Sequence, residues 1–465
     1  MTKDLTQGKP MRLVLGFAAP LMFGVLFQQF YSFVDTAIVG QILGAHKLAA
    51  VGATGSINFL VIGLCLGFCS GFGIPISQAF GAQDTDRLHR CVHHAVVLSA
   101  ALSVVFATAS TLLCRPLLQL MNTPPEVIDA SAQYISIIFA AIPCCVLYNM
   151  AGSILRAVGD SRTPVIFLVI ASLINIALDF FLILVWKLDV AGAAIATAVS
   201  QLISGLGCVL VIVRRYPVLH TSRQDRKFSL ALAKEMLLVG LPMGLQFSIT
   251  AIGSVVVQWA VNGLGVNPVA AVSAAAKISG FFVCAYDALS STMATFSGQN
   301  VGARKLHRVD EGLRAASVVG CIYSVLAFAA VMLFARPLLS LFVDANADAE
   351  VTEMGVRYLH LNAAFYIPLL FVNIVRLTIQ GMGFTRPAMF AGMFEMIART
   401  AVALFAVPRL GFTGACLANP AAWIMADVFL FPCYRHVMRS LRGRLMPDMP
   451  EYPAKKIRFF SRKAA

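Results

Sequence analysis

Long apolar stretches dominate the chain, and short polar segments separate them. Twelve of these stretches are long enough to cross the hydrocarbon core of a bilayer as a helix, which takes about 20 residues. They lie at 13–39, 48–80, 92–113, 130–155, 164–186, 190–213, 236–261, 269–300, 315–335, 358–381, 387–408 and 412–434. The pattern therefore predicts an all-α integral membrane protein with twelve transmembrane helices.

The two halves of the chain resemble each other at a nearly constant offset. Residues 78–82 match 299–303, and residues 115–118 match 336–339, each 221 positions later. Single residues follow the same rule at offsets of 222, 222 and 224: Pro20 with Pro242, Gly192 with Gly414, and Gly159 with Gly383. Because six spans is an even number, both repeats enter the membrane from the same side and are related in parallel.

The repeat predicts a division of the chain into four parts. We expect an N-terminal six-helix lobe over 1–213, an inter-lobe linker over 214–235 and a C-terminal six-helix lobe over 236–437. A basic tail follows over 438–465. A duplicated bundle of membrane helices is a common way to build a transporter, in which substrate binds between or within the halves.

Composition agrees with a membrane protein. The mean hydropathy is +0.80 and only 12% of residues are charged, against about a quarter in soluble domains. The net charge of +14 could suggest a nucleic-acid partner. The basic residues lie in short loops between apolar stretches, however, and this is a signal of membrane topology.

The loop charges predict the orientation of the chain. Of the 36 Lys and Arg residues, most lie in the two termini and the even-numbered loops. The odd-numbered loops carry six: Lys47, Arg115, Lys187, Arg336, Arg357 and Arg409. We therefore expect a multi-pass plasma-membrane protein with both termini in the cytoplasm. The basic tail is expected to lie against anionic lipid headgroups, and we expect a monomer.

Two acids lie inside spans of the first half. Asp35 follows Gln28 and Tyr31 in a polar stretch of span one, and Asp179 lies one helical turn after Asn175 on span five. We expect one ion-coupling and substrate cavity in the first lobe, lined by these residues and by Thr197 of span six. Neither span carries a nearby Lys or Arg, and an ionisable group inside a membrane costs at least about 2.5 kcal/mol. An unpaired buried carboxylate takes up a proton or binds a cation. A purely structural role, as protonated and hydrogen-bonded acids, is the alternative.

The second half has a different charge pattern. Glu395 and Arg399 lie four residues apart on span eleven, so they can pair on one helix face. We interpret them as a structural ion pair, which Arg376 and Asp427 could extend. Roles for two further charged residues, Lys277 and Asp287 on span eight, stay open between lining a vestibule and pairing with other spans.

Other motifs are missing from the sequence. It has no Walker A motif, so transport would draw on an ion gradient and not on ATP hydrolysis. Its eleven Cys are scattered singly, which argues against a metal site or disulfide framework. We expect no cofactor and a coupling ion that is H⁺ or Na⁺. Pro20, inside span one, is expected to permit a helix bend.

The chain resembles the multidrug and toxic compound extrusion (MATE) family over essentially its whole length. The resemblance is carried by residues 20–40, 155–162 and 380–383, with Glu395 and Arg399 following. It implies two six-helix lobes arranged as a V, cation-coupled antiport, and export of organic, often cationic or amphiphilic, compounds. Within the family the chain is similar to the DinF-like branch, which implies ion-site roles for the following residues: Asp35, Asn175, Asp179 and Thr197.

Two alternative functions fit the sequence less well. A flippase for lipid-linked sugars, from the same wider superfamily, commonly has fourteen spans and a cationic cavity, whereas this chain has twelve spans and acids in its first half. A membrane-embedded enzyme would need a catalytic cluster at membrane depth. The adjacent His93 and His94 are expected at the headgroup boundary, so the chain is predicted not to be an enzyme.

Overall fold

The computed structural model describes residues 4–121, 123, 125–221, 225, 227–341 and 349–445, without the side chains of eight residues between 36 and 49. The helices of this part of the chain are α1 (Pro10–Leu43), α2 (Ala45–Ala53), α3 (Gly55–Gly81), α4 (Thr85–Leu120), α5 (Pro125–Ala140), α6 (Ile142–Ala157), α7 (Arg162–Phe180), α8 (Val190–Arg215), α9 (Leu230–Asn262), α10 (Val266–Gly302), α11 (Leu306–Leu339), α12 (Ala349–Ala363), α13 (Tyr366–Gly381), α14 (Thr385–Ala401), α15 (Val407–Leu410), α16 (Phe412–Cys416) and α17 (Ala418–Leu445). No strand occurs among the described residues.

The predicted twelve-span, all-α fold is confirmed. Within the described ranges, ten helical stretches are long and apolar enough to cross a membrane, and two bent helix pairs bring the number to twelve if each pair is one span. We call α1–α8 the N-lobe and α9–α17 the C-lobe. The lobes contact each other where α3 and α10 end, and most of the basic tail lies beyond residue 445, outside the described residues.

Several predicted spans are broken, and some of the breaks repeat between the lobes. The predicted span at 130–155 bends by 44° between α5 and α6, and the span at 358–381 bends by 52° between α12 and α13. In each case a proline lies in the first turn after the break, Pro143 or Pro368, where it cannot donate a backbone hydrogen bond to the preceding turn. The predicted span at 48–80 is likewise divided, at Thr54, into α2 and α3.

The first helix of each lobe packs partly into the opposite lobe. Phe17 and Leu21 of α1 are buried in the same apolar core as residues of α10, α11 and α13. Met236, near the start of α9, is buried in the core formed by α3, α4 and α6. The lobes are therefore interlocked through the first halves of α1 and α9.

Glycines bring α3 and α9 into direct backbone contact. A Cβ added at Gly67 would lie 2.4 Å from the Cα of Gly244, and one added at Gly71 would lie 2.5 Å from the Cα of Gly240. Each helix thus contributes a G-x-x-x-G pair, an arrangement that lets membrane helices approach closely. This contact joins the N-lobe to the C-lobe.

The ends of α3 and α10 form a second inter-lobe contact that is nearly symmetric. A Cβ at Gly81 would lie 2.0 Å from the carbonyl oxygen of Gln299, and a Cβ at Gly302 would lie 1.9 Å from that of Gln78. Both pairs follow the repeat offset of 221. We call this end of the molecule the closed end, because the lobes touch here through backbone atoms.

Two glutamine side chains bridge the lobes at the closed end. Gln78 of α3 donates from Nε2 to the carbonyl of Gly381 over 3.2 Å. Its repeat partner Gln299 donates from Nε2 to the carbonyl of Ala157 over 2.8 Å. Each amide thus reaches from its own lobe to the end of a helix in the other lobe. We call this pair the amide bridges.

The N-terminal residues cover the closed end. Leu5 is fully buried, and its N–H donates to Oε1 of Gln299 over 2.9 Å. Lys305 donates from Nζ to the carbonyl of Thr6 over 3.1 Å, and Arg308 donates to the carbonyl of Gly8 over 2.9 Å. The segment before α1 is therefore fixed to the C-lobe.

Candidate functional site

The structure brings the two acids of the N-lobe together. Asp35 on α1 and Asp179 on α7 lie close enough together for their carboxyl groups to interact with each other. Asp179 is fully buried, and Asp35 is partly buried. Two neighbouring carboxyl groups are stable in a buried site when they share a proton or bind a cation between them.

Four uncharged polar side chains surround this acid pair. Asn175 donates from Nδ2 to Oγ1 of Thr197 on α8 over 3.4 Å. The hydroxyl of Tyr31 lies near Thr197 as well. Tyr134 of α5 lies close enough to both acids to interact with them electrostatically. The polar groups therefore come from four helices, α1, α5, α7 and α8.

Several oxygens in this site lack a hydrogen-bond donor. Among the described residues, Oδ1 of Asp35, both carboxylate oxygens of Asp179 and Oδ1 of Asn175 are buried without a partner. A buried acceptor without a donor costs about 1–3 kcal/mol, more when it is charged. Four such oxygens in one place are what a bound proton or small cation would satisfy.

Two predicted residues contribute less directly. Gln28 is exposed, although it lies one turn before Tyr31 and Ser32 on α1. At Pro20, α1 continues as one helix, so the expected bend stays a prediction. Gln29, the residue that follows Gln28, faces the C-lobe. Its Nε2 would lie 3.3 Å from a Cβ added at Gly280.

A change of helical type follows the acid on α7 directly. Residues Phe181–Val185 form a π-helical turn that begins two positions after Asp179. Such turns are rare, and they are frequent at functional sites. The C-lobe has a π-helical turn at Val402–Ala406, 221 residues later, so the local backbone is part of the repeat.

The charged residues of the C-lobe form an enclosed ion cluster. Glu395 on α14 pairs closely with Arg376 on α13, and its other carboxylate oxygen lies 3.8 Å from Nη1 of Arg399. All three residues are at least 94% buried. The nearer partner of Glu395 is thus Arg376, while the predicted partner Arg399 is one turn away on the same helix.

Asp427 of α17 completes the cluster. It is buried and lies near Arg376, although its Oδ1 has no hydrogen-bond partner among the described residues. Gln380 on α13 bonds to Gln246 on α9 in the same lobe. Two arginines and two acids balance in charge, so this cluster needs no further ion. We call the four residues the C-lobe ion cluster.

Lys277 and Asp287 of α10 do not pair with each other. Both side chains are exposed, and no ion pair joins them in the described part of the chain. Ten residues separate them, which is nearly three helical turns. Their exposure within a predicted span distinguishes them from the buried cluster.

The loop after α6 has a structural role. Gly159 adopts φ +90°, a conformation that favours glycine. Asp160 accepts from the N–H groups of Arg162 and Thr163 and from the hydroxyl of Tyr216, the last over 2.6 Å. Burial raises the pKa of Asp160, but hydrogen bonds from Thr163 and Tyr216 outweigh this and lower the pKa below its usual range. The loop therefore caps α7 and holds the start of the inter-lobe linker.

His94 is also structural. It is fully buried, its Nε2 accepts from the N–H of Ser229 over 2.8 Å, and its Nδ1 lies 2.8 Å from the carbonyl of Arg90. The histidine thus attaches the start of α9 to α4. Among the described residues no group of three or more His, Cys, Asp and Glu side chains could hold a metal ion.

Comparison with known proteins identifies the family. The MatE family model matches residues 20–181 and 242–405, one segment in each repeat. The probable multidrug resistance protein YpnP of Bacillus subtilis (strain 168) is 30% identical over 80% of this chain and 82% of its own length. The probable multidrug resistance protein YoeA of the same organism is 27% identical over 91% and 93%.

Solved structures support the same fold. One described as the outward-facing conformation of a multidrug resistance MATE family transporter of the MOP superfamily superposes with a TM-score of 0.89. It is 23% identical and covers 94% of this chain and 98% of the solved chain. The relatives are transporters and not enzymes. The two matched segments cover more than half of the chain, one in each repeat of the twelve-span fold, and the chain belongs to the MatE family of membrane transporters.

Proposed function

We propose that this protein exports organic, cationic or amphiphilic compounds by antiport against H⁺ or Na⁺. The observation that supports the proposal best is the acid pair of Asp35 and Asp179, which lies inside the N-lobe without a basic partner among the described residues. The names of the relatives YpnP and YoeA, as probable multidrug resistance proteins, point to the same class of substrate.

The acid pair can couple ion movement to a conformational change. With a cation bound, the two carboxyl groups attract the same ion and draw α1 toward α7. Without it, two like charges repel each other in a medium of low dielectric constant. The occupied and empty states therefore favour different positions of α1 relative to α7. Because α1 also packs into the C-lobe through Phe17 and Leu21, a shift of α1 would be felt at the contact between the lobes.

The proposed orientation follows from the loop charges. If the termini are cytoplasmic, the closed end faces the cytoplasm, because the N-terminal residues cover it. The V would then open toward the outside, and the cleft between the lobes would release substrate there. Alternating access requires that the closed end part and the opposite end meet. The flippase alternative is not favoured, because the N-lobe site is acidic and not cationic.

The test is gradient-driven transport in everted membrane vesicles. Ethidium uptake is measured with a proton gradient and with a sodium gradient, each imposed alone. Wild-type protein should accumulate ethidium with one of the two gradients, and Asp35→Asn and Asp179→Asn should not. Asp129→Asn is a matched control, since Asp129 is an exposed acid paired with Arg115 over 2.9 Å. Full uptake by both site variants would refute the proposal.

A further inference from the structure

Asp287 combines two properties that rarely occur together in a membrane protein. Its side chain is exposed, yet the residues on either side of it in α10, Tyr286 and Ala288, are buried. It lies near the middle of α10, 21 residues after Val266 and 15 before Gly302. A lipid-facing acid at this depth would cost at least about 2.5 kcal/mol. An exposed side chain that is deep in the protein instead lines an internal cleft.

The neighbours of Asp287 show which way it faces. Tyr286, Ala288 and Leu289 are buried in the apolar core of the C-lobe. Ala285 is buried as well. Positions 285 and 289 lie on the side of the helix opposite to position 287, because each residue turns the helix by 100°. Asp287 therefore points away from the C-lobe core.

Two glycines place the same face of α10 against the N-lobe. Gly280 lies seven residues before Asp287, which is almost two full turns, and it contacts Gln29 of α1. Gly298 lies eleven residues after Asp287, about three turns, and it contacts Ser77 of α3. Asp287 lies between these two contacts along the helix. It therefore projects into the space between the lobes.

No basic side chain neutralises Asp287. No Lys, Arg or His nitrogen lies within 4.0 Å of its carboxylate in the described ranges. This distinguishes it from Glu395, which has Arg376 and Arg399 beside it. It also differs from Asp35 and Asp179, which lie beside each other inside the N-lobe, where Asp179 is fully buried. An accessible, unneutralised acid in a cleft can pair with a bulky cation.

We propose that Asp287 binds the positively charged group of the transported compound in the cleft between the lobes. The inference rests on the proposed function, since it names the substrate-binding residue of that transporter. The protein then uses different acids for its two ligands. Asp35 and Asp179 hold the coupling ion, and Asp287 selects a cationic substrate. Replacement of Asp287 should therefore change the affinity for substrates according to their charge, whereas replacement of Asp35 or Asp179 should not.

The test is equilibrium binding to the purified protein without any ion gradient, so it does not depend on coupled transport. The probes are tetraphenylphosphonium, a cation, and triphenylphosphine oxide, a neutral analogue. We expect Asp287→Asn to raise the Kd for tetraphenylphosphonium at least about tenfold and to leave binding of the neutral analogue unchanged. Asp287→Glu should retain most of the affinity. Ser291→Ala, one turn away on α10, is the control and should bind as wild type.

Several results would overturn the inference. An unchanged Kd for the cation in Asp287→Asn would do so, as would an equal loss for the cation and the neutral analogue. Wild-type protein that does not bind tetraphenylphosphonium would also refute it. If Asp287→Asn binds the cation normally but loses gradient-driven uptake, Asp287 belongs to the ion path instead. The proposed function fails by a separate result, namely wild-type vesicles that show no gradient-driven uptake.

Discussion

The two lobes share a backbone plan but place their charges at different positions. The offset of 222 pairs Asp35 with Val257, and the offset of 221 pairs Asp179 with Thr400. The C-lobe thus has no acid where the N-lobe has its acid pair. Conversely, the N-lobe residues that match Arg376, Glu395, Arg399 and Asp427 are Gly152, Ile174, Leu178 and Gly205.

The uncharged polar groups of the two sites are more similar. Tyr134 matches Tyr358 at the offset of 224, and Thr197 matches Asn419 at the offset of 222. In the C-lobe these equivalents bond to each other, since Asn419 donates to the hydroxyl of Tyr358 over 3.1 Å. The other two polar residues of the N-lobe site are not kept, because Asn175 matches Met396 at the offset of 221 and Tyr31 matches Gly253 at the offset of 222. The N-lobe thus holds an unneutralised acid pair, whereas the C-lobe holds an internally neutralised cluster at other positions of the repeat.

The largest expected effect comes from breaking the C-lobe ion cluster. Glu395→Gln would leave Arg376 and Arg399 buried without their shared acid. Removing one partner of a buried ion pair costs about 3–5 kcal/mol. We therefore expect a marked fall in the thermal unfolding temperature of the purified protein and a low yield of folded material. The double variant Glu395→Met/Arg376→Met, which removes a pair of opposite charges, should recover part of the loss.

A smaller loss is expected at the symmetric glycine contact. A Cβ at Gly302 would lie 1.9 Å from the carbonyl oxygen of Gln78, so Gly302→Ala forces the backbones of α3 and α10 apart. Overpacking of this kind typically costs about 1–3 kcal/mol. Gly443→Ala is the control, because no atom lies within 4 Å of its Cβ position. A Gly302→Ala protein with the thermal stability of the control would contradict the close contact.

The amide bridges should have the smallest effect. Gln299→Ala removes a bond to Ala157 and a bond to Leu5, whereas Gln78→Ala removes one bond to Gly381. A typical hydrogen bond contributes about 0.5–1.5 kcal/mol. Hydrogen exchange of residues 4–8 should accelerate in Gln299→Ala more than in Gln78→Ala. Equal exchange in the two variants would mean that Gln299 does not hold the N-terminal segment.

Much of the fold could be predicted from the sequence, because membrane spans are continuous apolar stretches and repeats keep a constant offset. Pro143 and Pro368 mark possible bends near Ala141 and Phe365, but the sequence does not show which span prolines break a helix, since α1 continues through Pro20. The G-x-x-x-G pairs of α3 and α9 can be recognised in the sequence. That the two pairs contact each other cannot, because the sequence alone does not say which helices touch. The sequence indicates that Gln78 and Gln299 are equivalent in the repeat, but it does not indicate that they bridge the lobes.

The acids of the candidate site could be predicted from the sequence, but the residues around them could not. Asp35 and Asp179 could be identified because charge is costly in a membrane. Tyr134 was missed, since a tyrosine among apolar residues carries no comparable signal, although its match with Tyr358 was available from the repeat. Glu395 and Arg376 lie on different helices, so their separation in sequence gives no sign of their contact. The spacing of four residues within one helix indicated Arg399 as the partner of Glu395 instead.

The central claim is that the N-lobe acid pair, and not the C-lobe ion cluster, carries the coupling ion. The most direct measurement compares Asp35→Asn and Glu395→Gln in proteoliposomes, with gradient-driven ethidium uptake expressed per folded molecule. We predict that Asp35→Asn folds like the wild type and loses uptake, because an amide cannot take up a proton or carry a charge. The folded fraction of Glu395→Gln should retain uptake. If Glu395→Gln instead folds well and loses uptake as completely as Asp35→Asn, the C-lobe carries part of the ion path and the division between the lobes is wrong.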